Sequence, residues 1–242
     1  RNRSQLCFGS KGFKNIHPEE NTNWPVYQLA YGHIPEPVTT LADVKPLPKG
    51  CFYTYHLNSG KGSLQSFAHY SYSNKINDRK EALENVATQL RKSVERHLIA
   101  DAPLAVFLSG GIDSGIIAAL AAEYKKENLH TLSLYFEEEN FSEKPFQDIL
   151  IKTITCKPIQ HLLTEAEFQE AFPGILQAMD MPSCDGVNTW FISKHAADNN
   201  IKAVLSGIGG DELFGGYPSF KRMAMAQMLQ SSPKTLLSLT KN

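Results

Sequence analysis

From Asn77 onward the apolar positions of the chain fall into two alternating rhythms. Leu83, Val86, Ala87, Leu90, Val94 and Leu98 recur at helical spacing with Lys, Arg and Glu between them, and Asn77 or Asp78 stands where a helix cap belongs. Short apolar runs and longer amphipathic ones then take turns. They predict a strand at 104–108, a helix at about 113–126, a strand at 131–136, a helix at about 145–155, a strand at 158–163 and a helix at about 165–178. A loop with Pro and Asp at 180–186 follows, then a helix at about 187–199, a strand at 202–206, a Gly-rich loop to 216 and a helix from about 218. This alternation predicts an α/β fold, a parallel sheet with helices on both faces, in which ligands bind at the carboxyl ends of the strands.

The first seventy residues have a different texture. Pro18, Pro25, Pro35, Pro37, Pro46 and Pro48, with Gly32 and Gly50, predict an irregular, extended segment without a long helix. Cys51 to Tyr55 and Leu64 to Tyr72 are aromatic and β-prone, and the turn residues Asn58 to Gly62 between them predict a hairpin with a structural tyrosine stripe. The change of character places a domain boundary near residue 76.

Composition narrows the classes. With 42% apolar and 20% charged residues among 242, the chain is neither disordered, collagenous nor a coiled coil. Its 24 Lys and Arg against 25 Asp and Glu give a net charge of −1, so nothing in the whole-chain balance points to nucleic acid or a membrane surface as partner. No apolar run approaches the roughly 20 residues that cross a bilayer. Residues 1–10 lack the apolar centre of a signal peptide and the chain does not begin with Met, so it is expected to be a piece of a longer protein. The cysteines at 7, 51, 156 and 184 form no CxxC pair or zinc spacing. They are expected as buried small hydrophobes in a reducing compartment, hence a cytoplasmic protein. The histidines form no HxH or HExxH arrangement.

Two loops carry the candidate chemistry. Leu104 to Gly115 is an apolar strand, a tight loop and the start of an apolar helix. Gly110 and Gly111 let phosphate oxygens approach the backbone, while amides at the helix start and the hydroxyls of Ser109 and Ser114 supply donors. The loop has neither the Walker spacing with its lysine nor a GxGxxG turn. Asp113 is informative, because a carboxylate facing a phosphate is repulsive unless a hard cation such as Mg²⁺ lies between. The bland alternative is a β-to-α turn that only connects. The second loop, Val204 to Tyr217, holds glycines 207, 209, 210, 215 and 216 with Asp211 and Glu212 among them. Such glycine density is entropically costly unless the backbone needs positive φ or close approach to a ligand. If their strands are adjacent, the two loops face one crevice and bring Asp113 and Asp211 to one metal.

At this point the residues resemble a family. Ser109-Gly-Gly-Ile-Asp-Ser114 resembles the pyrophosphate-binding loop of N-type ATP pyrophosphatases, and Ser206-Gly-Ile-Gly-Gly-Asp-Glu-Leu-Phe-Gly-Gly-Tyr217 resembles the second signature of glutamine-hydrolysing asparagine synthetases. The resemblance runs from about Tyr31 to Phe220. It implies that 1–76 is a linker or remnant of an amino-terminal glutaminase domain. It also implies that 77–242 is an ATP-pyrophosphatase synthetase domain, incomplete at its C-terminus, of the adenine nucleotide alpha hydrolase-like fold. The implied enzyme is a ligase with ATP and Mg²⁺ as cofactors: a carboxylate, aspartate in the family, is adenylated with loss of pyrophosphate, and glutamine-derived ammonia displaces AMP. By position, Leu108, Leu134 and Gly207 would hold the adenine nucleotide. Ser109, Gly110, Gly111 and Ser114 would hold the pyrophosphate, and Ser206 would be a further cofactor-binding position. Asp113 and Asp211 would bind the metal, and Asp211 and Glu212 would be catalytic. A homodimer of the full-length protein is expected from the same resemblance.

Three departures qualify it. The resemblance implies a glutaminase domain with a cysteine nucleophile ahead of Arg1 and a synthetase domain that continues past Asn242 to a catalytic lysine, and neither is expected within these 242 residues. Asparagine-forming members have Glu at the position of Ile208 and an Arg near Asp185, so a different carboxylate acceptor, as in β-lactam-forming synthetases, is an alternative. A nucleotide-binding module without turnover is another. Glu143, in Phe141-Ser-Glu-Lys, resembles an acidic position kept near the nucleotide. Asp180 and Asp185 either cap a helix or serve the crevice. Glu137 to Glu139 are expected in a solvated loop.

Overall fold

Pro25 starts a helix where proline density predicted only irregular chain. In α1 (Trp24–Tyr31) it sits in the first turn, where its missing N–H would have no partner anyway. Gly32, at φ 73°, ends the helix by donating its N–H to Gln28 O. The computed structural model describes residues 19–68, 75–138, 140–179, 181–183 and 185–230. Cys7, Tyr70, Tyr72, Glu139, Asp180 and Cys184 lie outside them. Two compact units emerge, Arg1–Thr88 with Thr164–Lys194, and Gln89–Leu163 with His195–Asn242.

In the first unit the expected hairpin forms from β1 (Cys51–His56) and β2 (Lys61–Ser66), antiparallel, with Tyr53 opposite Leu64. The second strand begins earlier than expected, at Lys61 inside the predicted turn. Gly62 leaves room for the Tyr53 ring, which rests where a side chain would be. The same unit contains α5 (Glu165–Ala178), whose cap Thr164 accepts the Glu167 N–H at 3.2 Å, and most of α6 (Gly186–Asp198). Phe168 bridges these helices, 5.3 Å between centroids from Phe172 and 6.2 Å from Phe191.

In sequence the hairpin is followed by α2 (Arg79–His97), where Asp78 Oδ1 accepts the Glu81 N–H at 2.8 Å as the cap position predicts. Its apolar stripe is buried only toward the end, at Val94 and Leu98, whereas Leu83 is 61% exposed.

The second unit is built on one parallel sheet of β3 (Leu104–Phe107), β4 (His130–Tyr135), β5 (Lys157–Leu162) and β6 (Ala203–Leu205), in the order β5-β4-β3-β6. Both faces are dry. Leu104, Val106 and Leu108 point one way into a cluster with Val94, Leu98, Ala118 and Ala121, while Ala105 and Leu132 on the opposite face have no exposure. That is why these strands read as continuous apolar runs rather than alternating ones. The connecting helices are α3 (Ile112–Lys125) and α4 (Lys144–Thr153). Pro158 is tolerated because β5 is an edge strand: Lys157 N–H donates to Leu129 O, so the proline nitrogen faces away from the ladder. After β6 come α7 (Gly210–Phe214), a short helix inside the stretch expected as a Gly-rich loop, and α8 (Pro218–Gln230). Cys51 and Cys156 are half-buried free thiols rather than fully buried, Cys156 against the core cluster. Among the described residues, no helix is long and apolar enough to cross a membrane.

Candidate functional site

Strand order decides where a site can open. From β3 the chain lays β4 and β5 on one side, then returns to place β6 on the other. The loops after β3 and β6 therefore flank a topological switch point, the place where open α/β sheets bind ligands.

The first loop is folded on itself. Leu108 N–H still makes a ladder bond to Leu132 O at 2.8 Å, and the chain turns at Ser109. Ser114, buried at 6% exposure, accepts from Ser109 N–H at 3.2 Å and donates to Gly111 O at 3.2 Å. The Ser109 hydroxyl accepts from Gly111 N–H at 3.2 Å and lies 3.0 Å from the Ser114 hydroxyl. Both hydroxyls thus brace the loop. The start of α3 is left open: Gly111 is its N-cap and no side chain caps it, so first-turn amides are available to an anion. Gly110 is required twice, by its φ of 94° and because a Cβ there would lie 3.1 Å from Glu143 O and 3.2 Å from Phe146 Cβ at the start of α4.

The second loop closes over the first. A Cβ on Gly207 would stand 2.9 Å from Ser114 N and 3.1 Å from Asp113 Cβ, and one on Gly210 would overlap the Asp113 carboxylate. Asp113, in the first turn of α3, therefore rests in a notch made by two glycines nearly a hundred positions later. Gly209, at φ 97°, turns the chain into α7, and Gly215, at φ 69°, ends it. The Asp211 carboxylate occupies the space beside Gly216, and Glu212 Oε1 accepts the Tyr217 hydroxyl at 3.0 Å. Ser206 Oγ accepts the Ile208 N–H at 3.3 Å, which leaves the Ile208 side chain 86% exposed.

Charges around the strand ends are uneven. Glu143, an exposed residue at the α4 cap, has its carboxyl held above the usual value because the protein around it removes water. Asp148 is held below the usual value, first by its hydrogen bonds from Lys144, at 2.8 and 2.9 Å, and then by the one from Gln160. No group of three His, Cys, Asp or Glu converges among the described residues. The donors on offer are hard carboxylates, Asp113 in its glycine notch and Asp211 in the adjoining helix. One or two carboxylates, with phosphate and water completing the shell, suit Mg²⁺.

So the structure joins the Ser109–Ser114 and Ser206–Tyr217 loops through Asp113. Leu108 is buried at the end of β3, and Leu134 lies near the end of β4. Asp185 is exposed at the start of α6, in the other unit, where its carbonyl accepts the Thr189 hydroxyl at 3.0 Å. One residue was missed in the sequence. Gln147, 1% exposed, donates to Leu134 O at 2.9 Å. Its signal is its place at the head of an inward stripe whose later members, Leu150, Ile151 and Ile154, are apolar.

Comparison with known proteins identifies the family. A family model for asparagine synthase matches residues 85–240. A Mycobacterium tuberculosis (H37Rv) protein, provisionally named a glutamine-hydrolysing asparagine synthetase, is 33% identical over 209 residues, which are 84% of this chain and 32% of that protein. Asparagine synthetase [glutamine-hydrolyzing] 1 of Bacillus subtilis is 28% identical over 210 residues, 86% of this chain and 33% of its own length. The chain thus spans about a third of these relatives. Among solved structures, the NH3-dependent NAD synthetase of Campylobacter jejuni aligns with a TM-score of 0.37 and 16% identity, covering 58% of this chain and 61% of that one. At that score the likeness carries no argument. The sequence matches suffice: with its family model covering well over half of the residues, the chain belongs to the asparagine synthase family.

Proposed function

We propose that this chain is the ATP-using part of an amide-forming ligase. A carboxylate oxygen of the acceptor attacks the α-phosphorus of ATP, the bond to the β-phosphate oxygen breaks, and pyrophosphate leaves. Ammonia from glutamine then attacks the acyl carbon, and AMP departs with the bonding electrons while a proton is lost from nitrogen. The observation that carries this is the seating of Asp113 in the Gly207 and Gly210 notch, which makes one crevice of the loops after β3 and β6.

Each residue has a definite task in that crevice. The open amides of the first turn of α3 hold the pyrophosphate, aligned by a loop that the Ser109 and Ser114 hydroxyls brace from within. Leu108, Leu134 and Gly207 line the nucleotide with backbone, as their places at strand ends suit. Asp113 and Asp211 would hold Mg²⁺, which when bound offsets charge growing on the leaving pyrophosphate. Glu212 is positioned by the Tyr217 hydroxyl.

The acceptor is proposed to be a carboxylic acid other than aspartate. A carboxylate at position 208 could orient or deprotonate an incoming amine, and an exposed isoleucine can do neither.

The test has two stages. Calorimetry on this chain should show ATP binding that strengthens with Mg²⁺, and Asp113→Asn should remove the Mg²⁺-dependent part. Equal affinity with and without the metal, unchanged in that variant, would defeat the metal assignment. ATP–pyrophosphate exchange by the full-length polypeptide, run against a panel of carboxylic acids, should depend on the acid added. Binding without exchange for any acid would leave a nucleotide-binding module, and aspartate outperforming every other acid would return the chain to plain asparagine formation.

A further inference from the structure

The ends of β3 and β4 are where a parallel ladder stops. Leu108 N–H donates to Leu132 O at 2.8 Å, so the next rung on that side would bring the residue 110 N–H to Leu134 O. That rung is never made, because Gly110 has turned away at φ 94° to form the phosphate loop. Gln147 takes its place. From the inner face of α4 its Nε2 donates to Leu134 O at 2.9 Å and, at a longer 3.4 Å, to Ser109 O.

Packing alone does not call for this amide. Gln147 is 1% exposed and its Oε1 is buried with no hydrogen-bond partner, an arrangement an apolar side chain of the same shape would avoid. The residues one turn and two turns along the same stripe, Leu150, Ile151 and Ile154, are apolar and join the core. The donor end of Gln147 is the part with a task, and both of its acceptors are backbone carbonyls at the mouth of the crevice.

We infer that Gln147 is a positioning residue for the nucleotide: it fixes the end of β4 at Leu134 relative to the phosphate loop at Ser109. It touches neither ATP nor the reacting atoms. This rests on the nucleotide site proposed above and adds a specific consequence. A ligand that spans both strand ends, such as ATP, needs the two held in register. Inorganic pyrophosphate, held by the loop alone, does not.

The experiment compares Mg–ATP and Mg–pyrophosphate binding by calorimetry on the wild-type chain and on Gln147→Met, which keeps length and bulk but has no donor. ATP affinity should fall about tenfold, equivalent to about 1.4 kcal/mol, with pyrophosphate affinity unchanged within twofold. Gln147→Asn, an amide one methylene too short to reach both carbonyls, should show the same split and serves if the Met variant does not fold. Equal loss of both ligands, or loss of neither, overturns the positioning role, since a general loosening of the loop would move them together. Wild-type chain that binds pyrophosphate but not ATP, or binds neither, instead overturns the nucleotide site and the role of Gln147 with it.

Discussion

Replacing Gly210 by alanine should remove the proposed Mg²⁺ site while leaving the fold intact. Gly210 is the first residue of α7 and has no positive φ, so alanine meets no backbone strain there. A helix favours alanine over glycine by about 0.5–1 kcal/mol, which acts against the strain of displacing a neighbour. The neighbour is the Asp113 carboxylate, whose place the new methyl group would take. A carboxylate at the end of a short side chain can rotate away, at about 0.5–1.5 kcal/mol for an unfavourable rotamer. The two effects nearly cancel, so the melting temperature should stay within about 4 °C of wild type. Metal binding has no such offset. Disturbing the support of a metal ligand lowers affinity by about 10–100-fold, or about 1.4–2.7 kcal/mol. Calorimetry with ATP in the presence and absence of Mg²⁺, paired with thermal melts, measures both. Affinity for ATP alone should hold and the gain from Mg²⁺ should disappear. A Gly210→Ala chain that binds Mg–ATP as tightly as wild type would refute the claim that Asp113 works from this notch.

Three other perturbations separate neighbouring causes. Gly110→Ala combines a positive φ with a Cβ 3.1 Å from Glu143 O, so it should destabilise by at least about 2 kcal/mol in urea denaturation; a loss below about 0.5 kcal/mol would mean that α4 yields easily. Glu143 has a folded value raised above its ordinary 4.5, so its protonated form is favoured by folding. The stability tied to it is full below 4.5 and is lost as pH rises through the raised value. Urea midpoints of Glu143→Gln should therefore gain on wild type from pH 4.5 upward, and a gap constant with pH would show that burial does not govern this carboxyl. Thr164→Ala removes the hydroxyl that accepts Glu167 N–H and should lower stability by about 1 kcal/mol, visible as earlier melting and as faster amide exchange in the first turn of α5.

Much of the second unit was legible because its signals are local. A buried strand such as Leu104 to Phe107 reads as an apolar run, and the rhythm of α3 and α4 shows where each helix begins and ends within a residue or two. Two short helices escaped for opposite reasons. In α1 the breaker Pro25 is also a helix starter when it falls in the first turn, and proline density alone does not reveal that position. In α7 five residues between two left-handed glycines look like loop, since so short a helix has no room for a repeating stripe. The association of 164–194 with the amino-terminal residues could not be read at all. Contacts between segments so distant in the chain leave no periodicity.

The candidate site divides along the same line. That both loops mattered was visible in their glycines, but what each glycine does was not, because torsion and space are different needs with one residue type as answer. Gly209 and Gly215 are there for positive φ. Gly207 and Gly210 are there for room, and the room is filled by Asp113 and the backbone of Ser114. The first pair would be required by the local course of the chain whatever lay opposite. The second pair is required only because a carboxylate from α3 arrives there, so its meaning exists only in the folded molecule. A chain that gave up Asp113 would have no further need of glycine at 210, whereas one that kept it could not accept a side chain there without moving the carboxylate. The two positions are therefore expected to change together, and the pair joins two strand-loop-helix units into one site.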